Sequence, residues 1–285
     1  MFRMLNVSGR AALEVDDGYF DLARISGDDS LADPSMAIAR FGELHALAER
    51  CVAGSADGVV DPRSLAAPSP CPRQVFAIGL NYADHAQESA MALPPAPLTF
   101  TKFPSSLAGP NDQVPLSGEM VDWEVEIVAV IGRRAAHVSV EGAWDVVAGL
   151  SLGQDISDRA VQLAGSPAQF SLGKSFAGYA PFGPALVSVD SFDDPNDIGL
   201  RCDVAGERMQ EARTSQMIFS IPTLVAYLSS ICTLEPGDII FTGTPSGVGM
   251  ARGRFLAPGE LIESTAEVIG SIRNECVAGT GALAL

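Results

Sequence analysis

The sequence predicts an α+β fold, mainly β, with a small N-terminal α/β domain ahead of a larger domain. Read along the chain, most of its elements are strands, with helices over 36–51, near Tyr82 and from Ser220. From Gly54 to Arg73 the chain is rich in Gly, Ala, Ser and Pro, ending in Ala66-Ala67-Pro68-Ser69-Pro70-Cys71-Pro72, a linker composition. With 285 residues, 47% of them apolar and 19% charged, it can bury a sizeable core. Residues 1–65 are therefore assigned to the small domain, 66–73 to the linker and 74–285 to the large domain.

In chain order, residues 2–23 read as short strands around the turn Asp16-Asp17-Gly18. Ile38, Phe41, Leu44, Ala48 and Cys51 recur at helical spacing, which predicts one helix over 36–51 with His45 on its surface. Gln74–Leu80 is an apolar strand leading to a helix that starts near Tyr82. Pro94, Pro95 and Pro97 make a loop. A strand follows through Ile131, another approaches Asp155 from Ala143, and Ser220 with Pro222 opens a helix through Ile231. Asp238–Phe241, Leu261–Val268 and Ile272–Val277 read as strands, and the tail from Ala278 as a frayed end.

The stretch that organises the large domain is Asp122-Trp123-Glu124-Val125-Glu126, running directly into Ile127-Val128-Ala129-Val130-Ile131. Strand alternation puts Asp122, Glu124, Glu126, Val128 and Val130 on one face. Acids entering a β-branched, buried run need positive partners, because an unpaired buried carboxylate is very costly. A hard cation with oxygen ligands meets that need, and a solvated acidic strand end is the alternative that spacing leaves open.

Charge narrows the partners. A net charge of -17 disfavours nucleic acid and anionic membranes, while a small anionic substrate remains compatible if the site supplies its own cations. No apolar run approaches the ~20 residues of a membrane helix, and the N-terminal run is too short for a signal peptide. Five cysteines without a C-x-x-C pair suit free thiols in a reducing compartment, so the cytoplasm is expected. Among eighteen basic residues only Lys102 and Lys174 are lysines, which points to places that need a compact ammonium.

Four further segments bear on the chemistry. If a helix begins near Tyr82, His85 and Glu88 share a face, and the carboxylate can orient the imidazole as a water-activating base; a plain surface ion pair fits the same spacing. Asp155 lies where a strand ends, with Arg159 and Gln162 on one face of the following turn. Gly173-Lys174-Ser175 is not a phosphate loop, since that motif requires Gly at 168, where Ala stands. Gly243-Thr244-Pro245-Ser246-Gly247-Val248-Gly249 lacks the dinucleotide order, but its amides can cradle a carboxylate.

Taken in order, GLNYADHAQE, TKFPSSLAGP, VDWEVEIVAVIG, VAGLSLGQDISDRAVQ, QFSLGKSF, AGERMQEARTSQMIF and LEPGDIIFTGTPSGVG resemble the fumarylacetoacetate hydrolase family over residues 74–277. The resemblance implies a mixed β-sandwich or β-roll catalytic domain and a homodimer. It implies Glu124, Glu126 and Asp155 as ligands of a divalent cation, Mg2+ or else Mn2+ or Ca2+. His85 and Glu88 match a water-activating dyad on a segment that orders as a lid, and Lys174, Gln162 and Thr244, with Arg159 assisting, match groups that hold a 2-oxo acid substrate. The implied reaction is hydrolytic C–C cleavage of an acylpyruvate- or fumarylpyruvate-type 1,3-dicarbonyl. Isomerisation or decarboxylation, as of a 2-hydroxyhepta-2,4-diene-1,7-dioate or oxaloacetate in aromatic-compound catabolism, is the alternative; retention of the ligand and dyad positions weighs against a non-enzymatic metal-binding scaffold. Departures fall at Ser175–Tyr179, at Ala205 in place of the usual Asn, and at Asp158 and Ala160 around Arg159, and bear on substrate identity.

Overall fold

In the computed structural model, which describes residues 1–16, 18–51, 56–88 and 91–279, one long mixed sheet carries the site. Its strands are β1 (Arg3–Val7), β2 (Arg10–Val15), β3 (Gly18–Asp21), β4 (Val75–Gly79), β5 (Leu98–Thr101), β6 (Val125–Ile131), β7 (Val147–Gln154), β8 (Ala180–Val187) and β11 (Ile239–Phe241). Their order across the sheet is β3-β2-β1-β8-β7-β6-β11-β4-β5, with short strands at the margins. A second, five-stranded sheet contains β9 (Gly199–Val204), β10 (Glu207–Arg213), β12 (Leu261–Ala266) and β13 (Gly270–Ala278), in the order β10-β9-β12-β13, closed by Val114–Leu116.

Strand alternation explains the layers. Val125, Ile127, Ala129 and Ile131 of β6 pack with Leu200, Cys202, Val204, Ile262 and Ile272 of the second sheet. Val128 and Val130, on the opposite face, pack in the cluster that holds Ile38, Leu44 and Leu47 from the N-terminal helices. Every residue of β6 is buried, Glu126 included. The expected mainly-β α+β fold with its sandwich is the one observed. The first 65 residues share the long sheet: β1 pairs antiparallel with β8, Arg3 opposite Val187.

One expected helix is two. Helix α1 (Pro34–Ala39) opens on an Asp33 cap with Pro34 in its first turn and ends at Arg40; α2 (Phe41–Cys51) then begins with Gly42 in its first turn, a poor helix former. The Arg40 guanidinium ties the break to Asp28 at 2.6 Å and to Glu43 at 2.7 Å. The stretch expected to extend a strand back to Ala143 is a 3-10 turn over Ala143–Val146, and β7 starts at Val147 and delivers Asp155 from its end, as expected. Helix α4 (Ile221–Ser229) has its Ser220 cap. Asp17 of the N-terminal turn, Gly54 at the start of the linker stretch and the tail from residue 280 lie outside the described residues. Among the described residues no helix is long and apolar enough to cross a membrane, and all five cysteines are free thiols.

Candidate active site

The site forms where the N-terminal end of β6, the C-terminal end of β7 and the glycine-rich loop after β11 converge. Glu124, Glu126 and Asp155 are all buried, and each offers an oxygen within 4.8 Å of the others. β6 supplies Glu126, the residue entering β6 supplies Glu124, and the residue leaving β7 supplies Asp155; the Asp155 amide donates to the Glu124 carbonyl at 2.9 Å, which locks the two segments together. Asp122, on the same predicted face, is used differently. Its carboxylate accepts from Arg159 and from the amides of Gly249 and Met250 at 2.6 and 3.0 Å.

Three buried cations answer these acids. Arg159 donates to Asp122 and Glu124, and Lys174 Nζ reaches Glu124 Oε2 and Asp155 Oδ2, both at 2.7 Å. Lys102 Nζ takes the other oxygen of Asp155 at 2.6 Å and the carbonyls of Ile156 and Lys174. Four carboxylates thus face three cations, leaving one formal negative charge when all are ionised. Burial pushes the Glu124 carboxyl up, but the charges of Lys174 and Arg159 outweigh it and hold it at about 2. Glu126 has the opposite fate: burial, then Asp155 and Glu124, raise it well above the carboxylate range, with Lys174 and the Gly243 amide only partly offsetting them. The two lysines also diverge. Burial lowers Lys102, which has one carboxylate and feels Lys174, whereas Lys174 has two carboxylates and ends raised despite its burial.

This donor set fits a divalent cation. It has three convergent hard-oxygen ligands, one of them short of positive charge, and nearby the Tyr82 hydroxyl is buried without a hydrogen-bond partner among the described residues. Burial and then the charges of Glu126 and Asp84 push that phenol up.

His85 and Glu88 are paired as their spacing predicts. In α3 (Ala83–Glu88), His85 Nδ1 donates to Glu88 Oε1 at 2.8 Å, which leaves Nε2 as the acceptor of the neutral ring. The glycine-rich loop does cradle carboxylates, but they are the protein's own: the Gly247 amide donates to Glu88 at 2.9 Å and the Gly243 amide to Glu126 at 2.7 Å. Gly247, at φ +104, could carry no side chain there, since a Cβ would come within 2.0 Å of the Met209 carbonyl oxygen. Ser246 binds Asp84 at 2.7 Å, so α3 is fastened to this loop at both ends.

His85, Glu88, Glu124, Arg159, Gln162, Lys174 and Thr244 all line a single cavity of about 270 Å³. Each expected substrate-holding residue thus reaches it, with different capacity left over. Arg159 is engaged by protein carboxylates and by Gln162 Oε1, an arrangement that leaves the Gln162 amide nitrogen as donor to a ligand. The Thr244 hydroxyl gives its proton to the Val125 carbonyl and accepts from Gln210, so it offers a ligand an acceptor and not a proton. Sequence reasoning missed Lys102 and Tyr82 as parts of the site, although the scarcity of lysine had singled out Lys102.

Residues 74–277 match the family described as fumarylacetoacetate (FAA) hydrolase, C-terminal. The chain belongs to the fumarylacetoacetate hydrolase family. Similar proteins include a Dictyostelium discoideum fumarylacetoacetate hydrolase domain-containing protein 2 homolog, 44% identical over 216 residues, 71% of each chain. A Xenopus laevis mitochondrial oxaloacetate tautomerase, fahd2, is 36% identical over 95% of this chain and 86% of its own. Among solved structures, a Mycobacterium smegmatis protein described as HpcE superposes with a TM-score of 0.89 at 44% identity, covering 97% of this chain and 99% of its own. Maleylpyruvate hydrolase from Sphingobium, in complex with manganese(II) and pyruvate, gives 0.82 at 27% identity over 98% and 100%. Members of this fumarylacetoacetate hydrolase family are hydrolases, isomerases and tautomerases, and the chain is an enzyme of that kind.

Proposed function

We propose that the chain is a divalent-metal-dependent enzyme that moves a proton at the carbon next to the oxo group of a small 2-oxo acid, interconverting its keto and enol forms. The observation that carries this reading is Glu88, held by His85 on one side and the Gly247 amide on the other, at the wall of a cavity that Glu124 also lines. Magnesium or manganese held by Glu124, Glu126 and Asp155 would polarise the 2-oxo group as a Lewis acid. The chain's own groups do the rest. Lys174 and the Gln162 amide hold the oxo-acid head. His85 Nε2 takes the enol hydroxyl proton, the O–H electrons become the carbonyl bond, and the C=C pair takes the proton back from the imidazolium at C3. Glu88 keeps the ring in the Nδ1–H tautomer and stabilises its charged form; a positioned acid–base of this type contributes ~10²- to 10⁴-fold.

Similarity to the oxaloacetate tautomerase over nearly the whole chain supports proton transfer over the hydrolytic cleavage that the motifs suggest. Cleavage of an acylpyruvate is the second reading, favoured by a cavity that extends beyond the polar floor and has room for an acyl group. Stopped-flow decay of enol-oxaloacetate absorbance, beside loss of acetylpyruvate absorbance, both with saturating magnesium, tests the pair: no acceleration of either above magnesium alone would overturn the proposal. A homodimer is part of the proposal on family resemblance, with sedimentation of the full chain as its check; a cytoplasmic location rests on the five free thiols instead.

A further inference from the structure

The polar and apolar linings of the cavity differ in depth. Glu124, Arg159, Gln162, Lys174 and His85 are all buried and form its floor. Met91, Leu163 and Met250 line the same cavity yet are 49%, 44% and 46% exposed, so they form its mouth. Between the two lies Phe100, whose ring faces Lys174 Nζ at 5.1 Å on one side and meets Phe170 edge-on at 5.6 Å. Isolated exposed apolar side chains mean little, but three converging on the rim of one cavity mark a surface that a ligand covers.

Cations are distributed just as unevenly. Arg159 and Lys174 are the permanently charged bases that line the cavity, and both are on the floor, paired with protein carboxylates; His85 is paired with Glu88. The residues outside the described set include no Lys, Arg or His. A second carboxylate on the substrate, carried toward the mouth, would pass the Glu88 carboxylate and end among apolar side chains without a counter-charge, at a large desolvation cost.

We infer that this site takes 2-oxo acids whose tail is an uncharged alkyl or aryl group, in preference to acids that carry a second carboxylate at C5 or beyond. The inference rests on the 2-oxo-acid reading above and names the tail that goes with that head. The depth gradient sets the orientation: the head goes to the floor, and the tail lies over Phe100 and Phe170 and out between Leu163, Met91 and Met250. The head supplies the anionic recognition and the tail adds apolar burial, worth about fourfold in affinity per methylene.

The test compares two stable ligands of the same shape, 5-methyl-2-oxohexanoate and 2-oxoglutarate, which differ in an isopropyl group against a carboxylate. Calorimetric titration of the magnesium-loaded full chain is expected to give binding at least about tenfold tighter for the isopropyl acid. In Leu163→Arg, which places a cation on the exposed rim, the preference is expected to shrink or invert. Equal or tighter binding of 2-oxoglutarate to the unaltered chain would overturn the inference and leave the 2-oxo-acid reading standing. If neither acid binds, that reading fails and the inference goes with it.

Discussion

Lys102 and Lys174 approach one carboxylate from its two sides: Lys102 Nζ lies 2.6 Å from Asp155 Oδ1 and Lys174 Nζ 2.7 Å from Asp155 Oδ2. The chain has no other lysine. Lys102 also grips the Lys174 carbonyl, so it fixes both the carboxylate and the backbone from which the second lysine projects. Their duties differ. Lys102 is fully enclosed and acts as structure, whereas Lys174 lines the cavity and can meet a substrate.

Replacing Lys102 by Met is therefore expected to destabilise the protein. A buried pair broken from one side costs ~3–5 kcal/mol, and the Lys174 contact that Asp155 retains places this change at the lower end, about 3 kcal/mol. Urea unfolding measures it, and a midpoint equal to wild type would show that Lys174 alone satisfies Asp155.

Glu126→Gln separates metal binding from folding. Glu126 is the buried acid with least positive charge around it, so a neutral amide of the same shape should leave stability in chelator unchanged or raise it. Affinity for manganese should fall by more than the ~10- to 100-fold that losing a ligand's own partner costs. Calorimetry with manganese and thermal unfolding in chelator give the two numbers. Unchanged affinity would remove Glu126 from the ligand set.

Lys174→Arg keeps the charge but not the shape. Nζ sits as a point between two carboxylate oxygens, each at 2.7 Å, in a fully buried space where a planar fork has neither room nor the same directions. Turnover is expected to drop about a hundredfold, on the scale of a lost charge-stabilising donor, and near-wild-type kcat would show that charge alone suffices.

The Ala205 departure has a structural consequence. Ala205 and Gly206 link β9 to β10 with φ of +51 and +80, the pattern of a two-residue hairpin turn with both central residues left-handed. Asn tolerates that conformation and Ala does not, so Ala205→Asn is expected to stabilise the protein by ~0.5–1 kcal/mol. Thermal unfolding should show a midpoint higher by a few degrees, roughly 1–4 °C for a chain of this size. A lower midpoint would mean that the turn is not strained at Ala205.

Much of the site was legible because strands make side-chain direction predictable. Alternation placed Glu124 and Glu126 together, a strand end placed Asp155, and a spacing of three placed Glu88 beside His85, while the roles of these residues came only from the family resemblance. What pairs across the fold was not legible. Asp122 shares the acidic face but is taken up by Arg159 and two loop amides, and only the three-dimensional position of the 249–250 segment shows this. The glycine-rich loop was readable as an amide cradle, yet its carboxylates come from Glu88 and Glu126, residues over a hundred positions away. The break between α1 and α2 escaped periodicity because the apolar positions keep helical spacing across it, while Arg40 is held by Asp28 from outside the helix.

In the proposed reaction the His85–Glu88 dyad moves a proton at C3 of a 2-oxo acid. Deuterium incorporation at C3 of 2-oxobutyrate in D2O, followed by proton NMR with saturating magnesium, tests it most directly. Exchange well above the magnesium-only rate is expected for the unaltered chain, with a loss of ~10²- to 10⁴-fold in Glu88→Gln. Exchange no faster than magnesium alone, or equal exchange in the variant, would contradict it.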